Sequence, residues 1–283
     1  MSIRKLKFTK MNGIGNDYIY INGFKEEIDD PSELSIRLSD RHFSVGSDGV
    51  IIIAPSKIAD FKMRMFNADG SEGKMCGNGT RCIGKYVYEK GLTDKKVVTL
   101  ETLAGVKTLT LDVKDGKVTS VSVDMGKAVF DSKSIPVISD KSEVINQPLV
   151  LPCGSWNITC VSMGNPHCVT FVSDTKSLGL EKIGVQFEHN PIFPERVNTE
   201  FIRIIDQNTL EMRVWERGSG ETLACGTGAC ASVAAAVRNG ICKPNEEVTV
   251  KLLGGDLHIT CSDSYDITMR GPAEFSYEGE VEI

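Results

Sequence analysis

Two segments of the chain share one order of hydrophobic and polar positions. In each, a short run of alternating apolar and polar residues is followed by a glycine-rich turn and then by a run with helical spacing. The alternating runs are residues 63–66 and 212–215, and the turns are residues 75–80 and 224–229. Alternation is typical of half-buried strands. The pattern therefore predicts the sequence strand, turn, helix twice.

The helices predicted after the turns have one apolar face each and a glycine where each helix would end, at Gly91 and Gly240. One cysteine, Cys76 or Cys225, stands at the entrance of each helix. The apolar faces consist of Cys82, Ile83, Tyr86 and Val87 in the first helix and of Cys230, Val233, Ala234 and Val237 in the second.

The rest of the first half is rich in predicted strands. A further helix is predicted to begin at Asp30-Pro31, because proline is favoured in a first turn, and to end near Asp40. A tight turn over residues 114–117 predicts a hairpin. The other predicted strands cover residues 6–11, 18–22, 50–53, 96–102, 106–111 and 121–125.

The second half repeats the first at a constant offset. Asn16 and Asn165 lie 149 positions apart, as do the two turn cysteines and the two helix-ending glycines. A repeat of this length predicts two similar domains and not a solenoid. We expect a first domain over residues 1–126, completed by the tail 273–283, and a second over residues 127–272. Equivalent loops of such domains can face one cleft, where we expect the active site.

Composition and charge narrow the class of protein. The chain has 283 residues, of which 41% are hydrophobic and 25% charged, as in soluble globular proteins of about two domains. A net charge of -6 and scattered cations argue against a nucleic-acid partner. Residues 1–8 lack the apolar core of a signal peptide, and no run could span a bilayer, so a cytoplasmic protein without a membrane partner is expected.

The nine cysteines do not predict a disulfide framework or a metal site. Their number is odd, no Cys-x-x-Cys occurs, and the local spacings are not those of zinc ligands. Cys76 and Cys225 differ from the others because glycines surround them, without apolar neighbours to cover them. The remaining seven are predicted to be core residues, namely Cys82, Cys153, Cys160, Cys168, Cys230, Cys242 and Cys261.

A thiol at a helix N-terminus suits proton transfer. The exposed N–H groups and the positive end of the helix dipole favour the thiolate, which predicts a lowered pKa for Cys76 and Cys225. The same N–H groups can bind a carboxylate. Two such helix ends around one ligand would leave a sulfur on each side of the carbon that carries the carboxylate. That arrangement can remove a proton from one face and deliver one to the other.

Several motifs, in order and correctly spaced over nearly the whole chain, resemble diaminopimelate epimerase. They cover residues 13–17, 67–72, 76–82, 164–167, 196–198 and 216–228. The resemblance implies an α/β (α+β) fold of two similar domains, each a β-sheet or barrel wrapped around a central helix. It also implies an isomerase that interconverts LL- and meso-2,6-diaminopimelate without pyridoxal phosphate or another cofactor, in the formation of lysine and peptidoglycan precursors.

The resemblance also implies roles for individual residues. Cys76 and Cys225 would be the base and the acid, exchanging roles with reaction direction, and His167 and Glu216 would adjust their protonation. Arg217 would bind the distal carboxylate of the substrate. The remaining binding residues would be Asn16, Asn67, Asn165, Asn198 and Glu216, with the backbone N–H groups of Gly77, Asn78, Gly226 and Thr227. No metal site is expected, the partner is a small-molecule substrate, and the expected oligomer is a homodimer.

Two other hypotheses remain open at this stage. One is a relative on the same duplicated fold, such as a proline or hydroxyproline racemase or an isomerase that has lost the thiols. The asparagines and Arg217 argue against it, because proline has no distal amino acid centre to bind. The other is a non-catalytic module that binds an anion in its glycine loops or pairs its cysteines as a redox switch.

Overall fold

The computed structural model describes residues 4–283, so the first three residues of the segment considered above for a signal peptide lie outside it. Contacts divide the chain into two compact units. The first comprises the residues up to Asp124 together with Gly271–Ile283, and the second comprises Met125–Arg270. Within residues 4–283, no helix has both the length and the apolar character needed to cross a bilayer.

The first unit is a sheet with two helices. Its strands follow the order β18-β1-β2-β3-β4-β6-β7-β8, with the short β5 on β4. The pairs β2–β3 and β4–β6 are parallel and the others antiparallel. The elements are β1 (Lys5–Gly13), β2 (Asn16–Asn22), α1 (Pro31–Ser39), β3 (Gly49–Ala54), β4 (Phe61–Asn67), β5 (Glu72–Gly73), α2 (Gly77–Glu89), β6 (Val97–Thr102), β7 (Gly105–Lys114), β8 (Lys117–Lys127) and β18 (Glu274–Glu282).

The second unit repeats this order as β9-β10-β11-β12-β13-β15-β16-β17, with β14 on β13. Its parallel pairs, β11–β12 and β13–β15, are the counterparts of those in the first unit. The predicted duplication and fold class are therefore confirmed. The elements are β9 (Gln147–Leu151), β10 (Gly154–Ser162), β11 (Pro166–Phe171), α3 (Leu180–Glu188), β12 (Asn198–Asp206), β13 (Thr209–Glu216), β14 (Gly220–Glu221), α4 (Gly226–Arg238), β15 (Glu247–Leu252), β16 (Gly255–Cys261) and β17 (Asp266–Gly271).

One buried helix packs against the strands of each sheet. Helix α2 contacts β1, β2 and β7, and α4 contacts β10, β11, β12, β15 and β16. Small residues allow this close approach: a Cβ on Gly84 of α2 would lie 2.9 Å from Leu111 Cδ2, and Ala234, Ala235 and Ala236 of α4 are fully buried. Cys76 and Cys225 thus precede helices most of whose residues are buried.

The outer helices α1 and α3 cover the other face of each sheet. Asp30 caps α1 through a hydrogen bond that Glu33 N donates at 3.0 Å, and Pro31 begins the helix, as predicted. Around α3, Phe187 packs edge-to-face on Phe201 with 5.5 Å between ring centroids. Six of the seven predicted core cysteines are buried. The exception is Cys153, which is only half-buried at the edge of the α3 core.

Candidate active site

Each predicted turn cysteine is the N-cap of its helix. Cys76 and Cys225 have nearly the same extended backbone, with φ and ψ of -123° and 116° in the first and -122° and 105° in the second. Their sulfurs accept hydrogen bonds from Gly79 N at 3.3 Å and from Gly228 N at 3.4 Å. The sulfurs therefore sit beside the backbone N–H groups of a first helical turn, which have no partner within the helix.

An asparagine and a carboxylate orient the Cys76 thiol. Cys76 Sγ donates to Asn16 Oδ1 at 3.2 Å, and Asn16 Nδ2 donates to Asp48 Oδ2 at 2.7 Å. Asp48 is fixed in turn by Asp17 N at 3.0 Å and by Arg41 Nη2 at 2.9 Å. Burial raises the pKa of Asp48. This chain of contacts turns the carbonyl of Asn16 toward the sulfur.

Cys225 has different surroundings, and two expectations about it are wrong. Its exposed fraction is only 5%, although its glycine neighbours suggested an accessible thiol. Its pKa is raised well above the usual value and not lowered, because burial disfavours the thiolate and the carboxylates of Glu216 and Glu200 repel it. These effects outweigh the N–H groups of the helix end. The surroundings of Cys225 therefore favour the thiol over the thiolate.

His167 is fully buried on β11 and lies between two oxygen atoms. Its Nδ1 is 2.7 Å from Glu200 Oε1, and its Nε2 is 3.1 Å from Asn165 Oδ1. Asn165 Nδ2 also donates to Thr227 Oγ1 at 3.3 Å, and that hydroxyl lies 3.6 Å from Cys225 Sγ. The structure thus brings His167, Asn165 and Thr227 together with Cys225.

Glu216 ends β13 next to the same thiol. Its Oε1 accepts a hydrogen bond from Thr222 Oγ1, and burial raises its pKa although Thr222 and Cys225 act in the opposite sense. The neutral form of this carboxyl group is thus more favoured than in an exposed glutamate. Glu216 is therefore placed to influence the protonation of Cys225.

Asn198 supports the loop of Arg217. The Asn198 amide is buried, donates through Nδ2 to Pro166 O at 2.9 Å and accepts through Oδ1 from Arg217 N at 3.0 Å. The Arg217 side chain uses Nη1 to donate to Glu195 O at 2.9 Å. A guanidinium has five N–H donors, so this bond fixes the side chain without using all of them.

The other predicted side chains of the first unit, those of Asn67 and Asn78, lie at the end of β4 and in the first turn of α2. Asn67 ends β4, and its Nδ2 donates to Ser71 Oγ at 3.0 Å. Asn78, in the first turn of α2, is buried and accepts through Oδ1 from Arg81 Nη1 at 3.0 Å. The fully buried Arg81 also donates from Nε to Pro272 O at 3.0 Å. Arg81 thereby ties the start of α2 to the segment before β18.

Two residues of the site, Asp48 and Glu200, were missed from the sequence. Glu200 had a weak signal, since it is a charged residue directly before the apolar pair Phe201-Ile202, and the structure buries all three in β12. A buried carboxylate in such a strand requires a partner. Asp48 stands in the glycine-bearing loop before β3, where an aspartate is also a common turn residue, so its role was not visible.

A methyl group at Gly228 is expected to disturb the Cys225 end of the site. A Cβ there would lie 2.7 Å from Glu200 Oε1 and 3.2 Å from Cys225 Sγ. We expect Gly228→Ala to lower kcat/KM about 100-fold, because displacement of reacting groups by about 1 Å has effects of this size. The measurement is steady-state kinetics with thermal unfolding as the check on folding.

The matched control is Gly179→Ala, at the start of α3, where an added Cβ meets nothing within 4 Å. This variant should keep wild-type kcat/KM and lose less than about 1 kcal/mol of stability. Wild-type activity in Gly228→Ala would mean that the contact between Gly228, Glu200 and Cys225 has no importance for turnover.

Comparison with known proteins assigns this arrangement to a family. Residues 8–131 and 159–276 match the diaminopimelate epimerase family. A protein of Acetivibrio thermocellus named diaminopimelate epimerase is 54% identical, and the alignment covers 98% of this chain and 99% of that one. One of Methanococcus maripaludis with the same name is 52% identical, with 98% and 100% covered. In fold, a crystal structure of a hydroxyproline epimerase from Agrobacterium vitis with bound trans-4-hydroxy-L-proline matches at a TM-score of 0.71 and 15% identity, covering 99% of this chain and 93% of that one.

Proposed function

The chain belongs to the diaminopimelate epimerase family, and we propose that it interconverts LL- and meso-2,6-diaminopimelate through two cysteines. It is an isomerase that acts on a small molecule, in the formation of lysine and peptidoglycan precursors. The cysteine mechanism, the residue roles below, a cytoplasmic location and a homodimeric state are parts of the proposal.

The observation that carries the mechanism is the pair of cysteine N-caps with equal backbone geometry at equivalent places in two repeated units. A single base would have to reach both faces of the α-carbon to invert it. A thiolate on one face and a thiol on the other achieve inversion without moving. The sulfur of Cys76 or Cys225 takes the α-proton, the C–H electron pair passes into the carboxylate system, and the other sulfur delivers a proton from the opposite face.

The α-proton of an amino acid is far less acidic than a thiol, so the carbanionic intermediate needs stabilisation. We infer that backbone N–H groups of Gly77, Asn78, Gly226 and Thr227 bind the α-carboxylate. Donors that are already oriented toward developing charge stabilise a transition state by several kcal/mol. The N-cap position places each sulfur beside such donors, so one helix end provides both the proton carrier and the anion site.

The raised pKa of Cys225 supports a mechanism in which one cysteine is the base and the other the acid. Because its pKa is raised by burial and by the neighbouring carboxylates, Cys225 holds a proton and serves as the acid when Cys76 is the base. In the reverse direction the roles exchange, and Cys225 must then lose its proton. His167 and Glu216, on the same side, adjust that protonation.

Arg217 gives the proposed site its preference for diaminopimelate. A guanidinium binds a carboxylate through two parallel hydrogen bonds, and the distal end of diaminopimelate offers one. Asn16, Asn67, Asn165 and Asn198 would line or support the site for the distal ammonium and carboxylate. Proline has no such end. The likeness to the hydroxyproline epimerase, at 15% identity, concerns the fold alone.

The proposed function predicts that the hydrogen on the inverted α-carbon of the product comes from the solvent. Reduced protein incubated with LL-diaminopimelate in deuterium oxide, without pyridoxal phosphate, should form meso-diaminopimelate that carries deuterium at the inverted centre. Mass spectrometry and NMR follow the incorporation, and proline serves as the control substrate that should remain unlabelled. Labelling of proline but not of diaminopimelate would support the racemase hypothesis, and labelling of neither would support a non-catalytic module.

A further inference from the structure

A fully buried carboxylate stands behind the histidine of the Cys225 site. Glu200 and His167 both have an exposed fraction of 0%, and Glu200 Oε1 lies 2.7 Å from His167 Nδ1. In the parallel pair of β11 and β12, His167 is opposite Asn198, so Glu200, two residues further along, projects from the same face of the sheet. The backbone register therefore sets this contact.

The hydrogen bonds of the imidazole indicate its charge. Nδ1 faces a carboxylate oxygen and Nε2 faces Asn165 Oδ1 at 3.1 Å, so both neighbours are acceptors. A neutral imidazole has one N–H and can satisfy only one of them, whereas an imidazolium satisfies both. The positive ring would also compensate the Glu200 carboxylate, whose second oxygen, Oε2, is buried without a hydrogen-bond partner in the described part of the chain.

The carboxylate is also a neighbour of the thiol. A Cβ on Gly228 would touch both Glu200 Oε1, at 2.7 Å, and Cys225 Sγ, at 3.2 Å, so only the bare glycine separates them. Two other titratable groups interact with Glu200. They are Glu216 at the end of β13, which also interacts with His167, and Cys168 on β11. Glu200 therefore interacts with the thiol, and both His167 and Glu200 interact with Glu216.

The two repeated units carry different residues at the positions of Glu200 and His167. At the offset of 149, Glu200 corresponds to Ile51 and His167 to Tyr18, and a Cβ on Gly79 would lie 2.6 Å from Ile51 Cδ1. The same position behind the helix end thus holds an apolar side chain next to Cys76 and a carboxylate next to Cys225. The two cysteines share backbone geometry but differ in electrostatic surroundings.

We propose that Glu200 is a positioning residue of the reaction, which holds His167 as a doubly protonated cation that is linked to Cys225 through Asn165 and Thr227. The inference rests on the proposed function of the site. Each turnover requires Cys225 to change between thiol and thiolate. The cationic ring stabilises the thiolate when it forms, and Glu200 keeps the ring both charged and oriented, as a carboxylate does for a histidine in other sites.

The test compares Glu200→Gln with Glu200→Asp and with Glu211→Gln. The glutamine side chain in Glu200→Gln would keep the size of the glutamate and could donate to Nδ1, which removes the need for a charged ring. We expect kcat/KM to fall about 10- to 100-fold, as when the partner behind a metal-bound histidine is removed, with KM nearly constant. The pH profile of kcat/KM should shift, because the charge near the thiol changes. The Glu200→Asp variant keeps the charge and should retain the wild-type profile shape.

Glu211→Gln is the control because Glu211 is paired with Arg203, at 2.9 Å, away from the thiol. It should leave the pH profile unchanged even if it lowers stability. An unchanged profile in Glu200→Gln would overturn the proposal. If the wild type does not epimerise diaminopimelate at all, the proposed function fails instead, and the charge of the ring is then decided by spectroscopy.

Nitrogen-15 NMR of histidine-labelled protein reads the ring directly and needs no activity. The chain has 4 histidines, and the His167 signal is identified by its loss in His167→Asn. We expect both ring nitrogens of His167 to carry protons at neutral pH in the wild type, and one to be bare in Glu200→Gln. A bare nitrogen in the wild type would overturn the proposal, even if Glu200→Gln does not fold.

Discussion

Replacing Cys76 or Cys225 with alanine is expected to lower kcat for epimerisation by about 10²- to 10⁴-fold, the usual contribution of a general acid or base. Each sulfur is the N-cap of a helix, and alanine removes the proton carrier while the backbone donors of the first turn remain. Substrate should therefore still bind. Polarimetric or coupled assays of both stereoisomers give kcat and KM.

The exchange of the α-proton distinguishes two bases from one. In Cys76→Ala the remaining thiol can reach one face only, so at most one stereoisomer should exchange its proton with deuterium oxide, and Cys225→Ala should show the opposite preference. Cys82→Ala and Cys230→Ala are the controls, since these cysteines are fully buried inside the same two helices. Full exchange of both stereoisomers in either N-cap variant would refute the two-thiol mechanism.

Arg217→Met is expected to raise KM about 100-fold, with a smaller effect on kcat. Methionine retains the length of the side chain but cannot pair with the distal carboxylate, and loss of a charge-assisted pair of this kind costs about 2–3 kcal/mol. Arg217→Lys should recover part of the affinity, since it restores the charge without the two-bond geometry. Initial rates over a wide range of diaminopimelate concentration separate KM from kcat.

The control for this prediction is Arg270→Met, because Arg270 forms an ion pair with Glu247 at 2.8 Å and both side chains are substantially exposed. Exposed pairs contribute little, so its kinetics should equal those of the wild type. An unchanged KM in Arg217→Met would show that another group recognises the distal end, and the asparagines would then be replaced one at a time.

Local pattern predicted the elements and the repeat well, because both are encoded over short distances. The helix entrance at Cys76 follows from a glycine turn next to an apolar stripe, and α1 follows from Asp30 and Pro31. The constant offset of 149 then predicted a second unit of the same strand order. Each element was predicted from residues close together in the chain, and the repeat from comparing two such stretches with each other.

The surroundings of Cys225 were not predictable in this way. Its burial and its raised pKa depend on Glu200 and Glu216, which come from two different strands and reach the helix end only through the register of the sheet. Likewise, Asn198 was assigned to substrate by resemblance alone, while its amide in the structure bonds Pro166 and Arg217. Tertiary pairing, and not the neighbouring sequence, decides which groups a thiol or an amide meets.

The pairing of β1 with β18 makes the first unit discontinuous in the sequence. Strand β1 pairs with β18 from Lys5↔Glu282 to Asn12↔Glu274, whereas every strand of the second unit comes from one continuous stretch of chain. During synthesis, the second unit can therefore fold as soon as it leaves the ribosome. The first unit, most of which precedes the second in the sequence, keeps an open edge at β1 until translation reaches β18. The last strand of the unit that carries Cys76 is therefore synthesised after all the strands of the unit that carries Cys225.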